Sequence, residues 1–209
     1  MALNDLGTEA LLQRTVDGDG QAVQELLVRY RERLRRMISV RMDPRLAPRL
    51  DPSDVVQEAL ADASRKLPEY LAQRGCAFYP WLRGIAWERL VQLHRCHIQA
   101  QCRSVTREEP WDMRLSHAST VQLAEQFTAK QTSVGARMVR KELRQRVRQT
   151  LDHLAPGDRE VVVLRHLEQL SFQEIAGVLG ISEAAAQSRY RRAVERLHDL
   201  LSDGSEGLQ

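Results

Sequence analysis

Between Ser171 and Ser182 nearly every position carries the residue type that a steep crossing of two helices demands. Ser171-Phe172-Gln173-Glu174 is a capping box: the serine hydroxyl can accept from the Glu174 N–H while the glutamate carboxylate reaches back to the Ser171 N–H. Ile175, Ala176 and Leu179 supply an inner face. Gly180 can take the left-handed turn, Ile181 plugs the corner, and Ser182 caps the next helix. That second helix turns Ala185, Ala186, Ala193 and Leu197 inward and Gln187, Ser188, Arg189, Arg191 and Arg192 outward. Such a pair fits a helix-turn-helix whose second helix enters a major groove, with Gln187 suited to adenine, an arginine to guanine, and the other arginines to phosphates. A plain helical hairpin with a solvated basic face is the competing reading.

The whole chain has 209 residues, enough for one ordinary domain or two small ones, and 43% hydrophobic content suffices for compact cores. With 28% charged residues and a mean hydropathy of -0.44, no apolar stretch approaches the ~18 residues of a membrane span. Met1 to Arg14 carries Asp5 and Glu9 and lacks the basic and apolar runs of a secretory leader. Cys76, Cys96 and Cys102 are too few for a disulfide scaffold and are expected to be reduced thiols. Together these features predict a cytoplasmic protein with no membrane partner. The 31 basic and 28 acidic residues leave a net charge of only +3. Lysine occurs only as Lys66, Lys130 and Lys141, so the cations are overwhelmingly arginine forks, which grip phosphate bidentately. A codon bias toward arginine explains the same composition, and position has to decide.

Helical spacing of apolar residues runs from Leu11 to about Gln101 and again from about Val139 to Leu201. In the first region Val23, Leu26, Leu27, Tyr30, Leu34, Met37 and Ile38 form one face, backed by Arg29, Arg31, Arg33, Arg35 and Arg36. Asp51 as cap, Pro52 at the first helical position and Asp54 in the first turn begin a second helix. Its buried stripe is Val55, Val56, Ala59, Leu60, Ala63 and Leu67, and Pro68 is expected to end it. After a loop from Leu71 to Ala77, a third helix turns Phe78, Leu82, Ile85, Ala86, Leu90 and Leu93 inward. Arg103 to Arg137 is polar, broken by Pro110 and Gly135, and reads as a linker. The second region predicts helices from about Val139 to His153 and from Asp158 to Leu167. Val161 to Leu164 is short and set among helix formers, and no credible strand exists to pair with it. The fold class is therefore all-α, as two small helical domains joined by a polar linker.

Two blocks joined by this linker resemble the bacterial sigma-70 family, specifically the small extracytoplasmic-function (ECF) sigma factors. Leu154-Ala-Pro-Gly-Asp-Arg-Glu-Val-Val-Val-Leu-Arg-His, Leu170-Ser-Phe-Gln-Glu-Ile-Ala-Gly-Val-Leu-Gly-Ile-Ser and Ser188-Arg-Tyr-Arg-Arg-Ala are similar to sigma region 4, while Asp54-Val-Val-Gln-Glu and Phe78-Tyr-Pro-Trp-Leu-Arg-Gly-Ile-Ala are similar to region 2. The resemblance implies region 2 over 8–101, a linker over 102–137 and region 4 over 138–203. It implies a subunit that binds core RNA polymerase and directs it to promoter DNA. The helix bearing Asp54, Gln57, Glu58, Asp62 and Arg65 would dock on the coiled coil of the largest subunit, and region 4 would ride on the flap of the second-largest. Gln73, Arg74, Trp81, Trp87, Glu88, Gln92 and Arg95 would open and read the minus-ten element, with the tryptophans as stacking platforms or as core. Ala184, Ala185, Gln187, Ser188, Arg189, Arg191 and Arg192 would read the minus-thirty-five element. Gln187, Glu88 and Gln92 depart from residues common in the family, so promoter sequence does not transfer. The linker acids Glu108, Glu109, Asp112 and Glu125 would thread polymerase channels, or serve only as a tether. An inhibitory anti-sigma factor is a further partner that the resemblance admits.

His94, Cys96, His97 and Cys102 invite a zinc reading, but Cys96 and His97 diverge by about 100 degrees on a helix and no Cys-x-x-Cys brackets them, so no metal and no cofactor is expected. Burial of Cys96 with the histidines exposed is the expectation instead. No glycine-rich phosphate loop, His-Glu-x-x-His or partnered nucleophile points to an enzyme. The alternative function is a conventional helix-turn-helix regulator with an N-terminal sensor or dimerisation module.

Overall fold

The computed structural model describes residues 3–43, 45–96, 117–128 and 137–203. Among these residues every regular element is helical and there is no strand. The chain divides into two compact units, Met1–Trp111 and Asp112–Gln209.

In the first unit, α1 (Leu3–Val16) packs on α2 (Gly20–Arg41), which in turn packs on α3 (Pro52–Gln73) and α4 (Phe78–His94). The predicted face of α2 is the core: Leu26, Leu34, Met37 and Ile38 are fully buried, with Leu27 and Tyr30 nearly so, whereas Val23 is half-buried and Ala22 takes the inward place at that end. Tyr30 also anchors α1, its hydroxyl lying 2.7 Å from the buried Thr8 hydroxyl. At the start of α3, Asp51 accepts from the Ser53 N–H at 2.7 Å and Pro52 occupies the first turn, as the sequence predicts.

Pro68 does not end α3. The helix runs five residues further, to Gln73, and the loop expected over Leu71 to Ala77 shrinks to its last four residues. Proline removes one intrahelical donor. Here it stands on the exposed side, as does Ser64 one turn back, where water can serve the freed carbonyl, while Leu67 and Tyr70 bury on the opposite side. Tyr70 holds the extension: its hydroxyl donates to the Cys76 carbonyl at 3.0 Å, and its ring packs against Phe78 and Trp81 at 5.6 and 4.5 Å. The helix then stops at Arg74 in the left-handed region, φ 38°, with its N–H on the Tyr70 carbonyl.

The second unit contains α5 (His117–Thr128), α6 (Arg137–His153), α7 (Pro156–His166), α8 (Phe172–Leu179) and α9 (Glu183–Asp203). Val161 to Leu164, the run that could be mistaken for a strand, is the middle of α7 and is wholly buried. Because α5, α8 and α9 all pack on α7, four consecutive positions of that helix can be apolar and buried.

The largest departure from the sequence reading is α5. It lies inside the stretch from Arg103 to Arg137 that reads as a linker, and it packs against α6 and touches α7. Leu123 and Ala124 are buried, Ser119 and Thr120 nearly so, and the Phe127 ring sits 4.6 Å from that of His166. Thr120, Leu123, Ala124 and Phe127 do recur at helical spacing, but hydroxyls and amides dilute the signal. Of the four linker acids, Glu125 is exposed on α5, and Glu108, Glu109 and Asp112 lie outside the described residues.

Candidate functional site

The helix pair α8–α9 is built as its local sequence dictates. Ser171 Oγ accepts from the Glu174 N–H at 3.2 Å and the Glu174 carboxylate from the Ser171 N–H at 2.9 Å. Gly180 adopts φ 62°, a left-handed conformation that a side chain would strain, and its N–H caps the Ala176 carbonyl. Ser182 Oγ accepts from the Ala185 N–H at 3.1 Å and opens α9. Ala186, Ala193 and Leu197 turn inward and Ala185 is half-buried.

The outward face of α9 carries Ala184, Gln187, Arg191 and Arg192 exposed and Ser188 and Arg189 half-buried. Their engagement differs. Gln187 donates to Glu183 at 3.2 Å, and Arg191 lies 3.7 Å from Glu195, both exposed pairs of the kind that contribute little. Arg192 is tied down: its Nη2 donates to Asp158 Oδ1 at 2.8 Å and its Nε to Oδ2 at 3.3 Å. This carboxylate, 8% exposed at the start of α7, holds the guanidinium pKa above its ordinary value. Arg189 lies over the neighbouring Gly157, where an added Cβ would stand 2.9 Å from its Nη1. Two arginines of α9 thus reach back to the first turn of α7.

In the first unit, Asp54, Gln57, Glu58 and Arg65 are exposed on α3 and Asp62 is half-exposed. Glu58 accepts from Arg89 of α4 at 2.6 Å, which raises the guanidinium pKa, and Asp62 pairs with Arg65 one turn on. The face is therefore accessible and partly pre-ordered. Gln73 is exposed at the end of α3, and Arg74 reaches Glu9 at 2.5 Å. Trp81 is half-buried, stacked on Tyr70 and tilted against Phe78 with centroids 5.4 Å apart, so packing already claims part of this ring. Trp87 is also half-buried. Glu88 and Gln92 are exposed, Glu88 lying 3.7 Å from Lys66 and Gln92 accepting from Arg89 at 2.8 Å. Arg95 is exposed just beyond α4.

The expected burial of Cys96 does not hold, nor does full exposure of His94. Cys96 is exposed past the end of α4, and the His94 side chain is 15% exposed, with Nε2 3.5 Å from Asp43 Oδ2. His97 and Cys102 lie outside the described residues. Asp43 is a node that sequence reasoning missed, joining the segment after α2 to the end of α4. Hydrogen bonds from the Arg45 guanidinium, 2.7 Å at the closest, lead the causes that hold its carboxyl at about 2. A folded pKa below the ordinary 3.8 makes a contribution to stability that is complete above 3.8 and fades as pH falls through about 2. Asp43→Asn should therefore cost roughly 2 kcal/mol at neutral pH and flatten acid unfolding in that window, read by urea denaturation at stepped pH.

Comparison with known proteins reaches both units. Residues 144–197, spanning most of α6 through α9, match the family described as sigma-70, region 4. The ECF RNA polymerase sigma-E factor of Escherichia coli K12 is 29% identical over 192 residues, covering 92% of this chain and 93% of that protein. Its namesake from Haemophilus influenzae is 28% identical over 194 residues, covering 93% and 95%. Among solved structures, CnrH in complex with the cytosolic domain of CnrY superposes with a TM-score of 0.50 at 25% identity, covering 94% of this chain and 98% of that one. Residues 144–197 thus match sigma-70 region 4, and along nearly its full length the chain is similar to ECF RNA polymerase sigma factors.

Proposed function

We propose that the chain binds core RNA polymerase and confers promoter selection on it, the first unit reading and melting the minus-ten element and α9 reading the minus-thirty-five element. The observation that carries this reading is the full-length likeness, across both units, to proteins named RNA polymerase sigma factors. In this reading region 2 occupies 8–101 and region 4 occupies 138–203, with α5 a helical extension ahead of the latter. Asp54, Gln57, Glu58, Asp62 and Arg65 form the docking face, because a rigid helix offering carboxylates and amides complements an arginine-rich coiled coil of the largest subunit. Region 4 sits on the flap of the second-largest subunit.

Gln73, Arg74, Trp81, Trp87, Glu88, Gln92 and Arg95 line the loop and helix that meet the opened strand, and the free face of Trp81 is the one available for stacking. Ala184, Ala185, Gln187, Ser188, Arg189, Arg191 and Arg192 meet the upstream duplex, the arginines supplying phosphate neutralisation and base-edge donors. The chemistry of RNA synthesis stays with the polymerase. Since CnrH is seen with the cytosolic domain of another protein, an inhibitory anti-sigma factor is a fitting regulator here too.

The test is run-off transcription of genomic fragments by core polymerase plus this chain, with no other sigma factor present. Initiation at discrete start points sharing two upstream elements is the expected result. A chain that binds duplex operators tightly alone and never joins core would instead be a conventional helix-turn-helix regulator.

A further inference from the structure

Arg192 and Asp158 are 34 residues apart and meet only because α9 packs on α7. A guanidinium has five N–H donors. Asp158 takes two of them along the Nε–Nη2 edge, and Ser188 Oγ takes a third, from Nη1, at 3.4 Å. The remaining two, one on each terminal nitrogen, form the outward fork of the side chain, which is 51% exposed. A fork held in this way differs from a loose arginine in two respects. Its direction is set by a carboxylate that is itself only 8% exposed and rooted in the first turn of α7. Its charge is also offset at short range, so it has little to gain from a phosphate.

We infer that Asp158 is a positioning residue for DNA recognition: it buttresses Arg192 so that the outward fork reads a base edge, guanine O6 and N7 by its geometry, instead of gripping the nearest phosphate. The inference rests on the reading of α9 as the element that meets the upstream duplex. It adds a residue outside α9 to the determinants of promoter choice, and it separates Arg192 from Arg191, whose exposed pairing with Glu195 leaves it suited to phosphate.

The test uses the full chain in holoenzyme with core polymerase. Duplexes are first selected from a randomised pool by the wild-type holoenzyme, and binding of one selected and one scrambled duplex is then followed over a salt series. In Asp158→Asn the released guanidinium should find a phosphate: the scrambled duplex binds more tightly, the salt slope steepens by about 0.9, and preference for guanine at one upstream position drops by about tenfold. Arg192→Gln should lose the same preference with the wild-type salt slope. The double variant should match Arg192→Gln in both readouts, and its melting transition separates misfolding from lost positioning. An unchanged slope and base preference in Asp158→Asn would overturn the inference, as would a shallower slope in Arg192→Gln alone, which would make Arg192 a phosphate contact in the native chain. Should the wild-type pool yield no upstream motif at all, the reading of α9 fails first, and the role of Asp158 fails with it.

Discussion

Replacing Asp54 and Glu58 together by lysine is expected to abolish co-elution of the chain with core RNA polymerase while leaving its melting transition nearly in place. Both side chains are exposed on α3, so no buried group loses a partner. Within the chain the change costs the Glu58–Arg89 contact, a surface pair with 48% and 27% exposed side chains, sets a lysine beside Arg89 and removes the first-turn carboxylate of Asp54, exposed terms that each contribute at most about 1 kcal/mol. Against a basic partner, two attractive charges become repulsive, and like-charge contacts at an interface cost several kcal/mol. A loss of at least about a hundredfold in affinity should follow. Gel filtration with purified core, beside a circular-dichroism melt of the free variant, reads both quantities. Normal co-elution would remove α3 from the docking surface and leave the assignment of that face without support.

The second large effect concerns α5. Leu123 is wholly buried in a segment whose composition reads as a tether. If α5 is an integral part of the second unit, Leu123→Ala removes buried methyl groups and leaves a cavity, a change worth about 2–4 kcal/mol in a packed core. If the segment were only a solvated linker, the same change would be silent. Urea denaturation followed by a probe in α9 should therefore show a lowered midpoint with an unchanged slope, whereas Gln122→Ala on the exposed side of α5 should leave it alone. A midpoint equal to that of the wild type would return the segment to the status of a tether. Because a small domain is only marginally stable, a loss of this size should be visible at ordinary temperature.

These two regions also show where sequence reasoning reached and where it stopped. The capping box at Ser171, the turn at Gly180, the cap at Ser182 and the start of α3 at Asp51 were all legible, because each is closed by hydrogen bonds between residues two to four positions apart. The core faces of α2, α3 and α4 were legible too, with Val23, Leu60 and Leu93 the exceptions; all three are half-buried, each at the margin of its stripe. Pro68 misled because a proline's cost depends on which side of the helix it faces, and that is decided by what the other side buries. The helix α5 was missed because its apolar stripe is only one residue wide for most of its length and counts as a face only once α6 covers it.

What the sequence by itself determined is local grammar: where α3, α8 and α9 begin, which sides of α2, α3 and α4 are apolar, and that the last two helices form a turn able to present arginines. Only the tertiary structure decided what those side chains do next. It joined Arg192 to Asp158, Glu58 to Arg89 and Glu9 to Arg74, pairs separated by 34, 31 and 65 residues. The physical reason is one of range. Helix caps and stripes follow from backbone geometry within a few residues, whereas the partner of an arginine depends on how whole helices pack, and on which carboxylate that packing happens to shield from water.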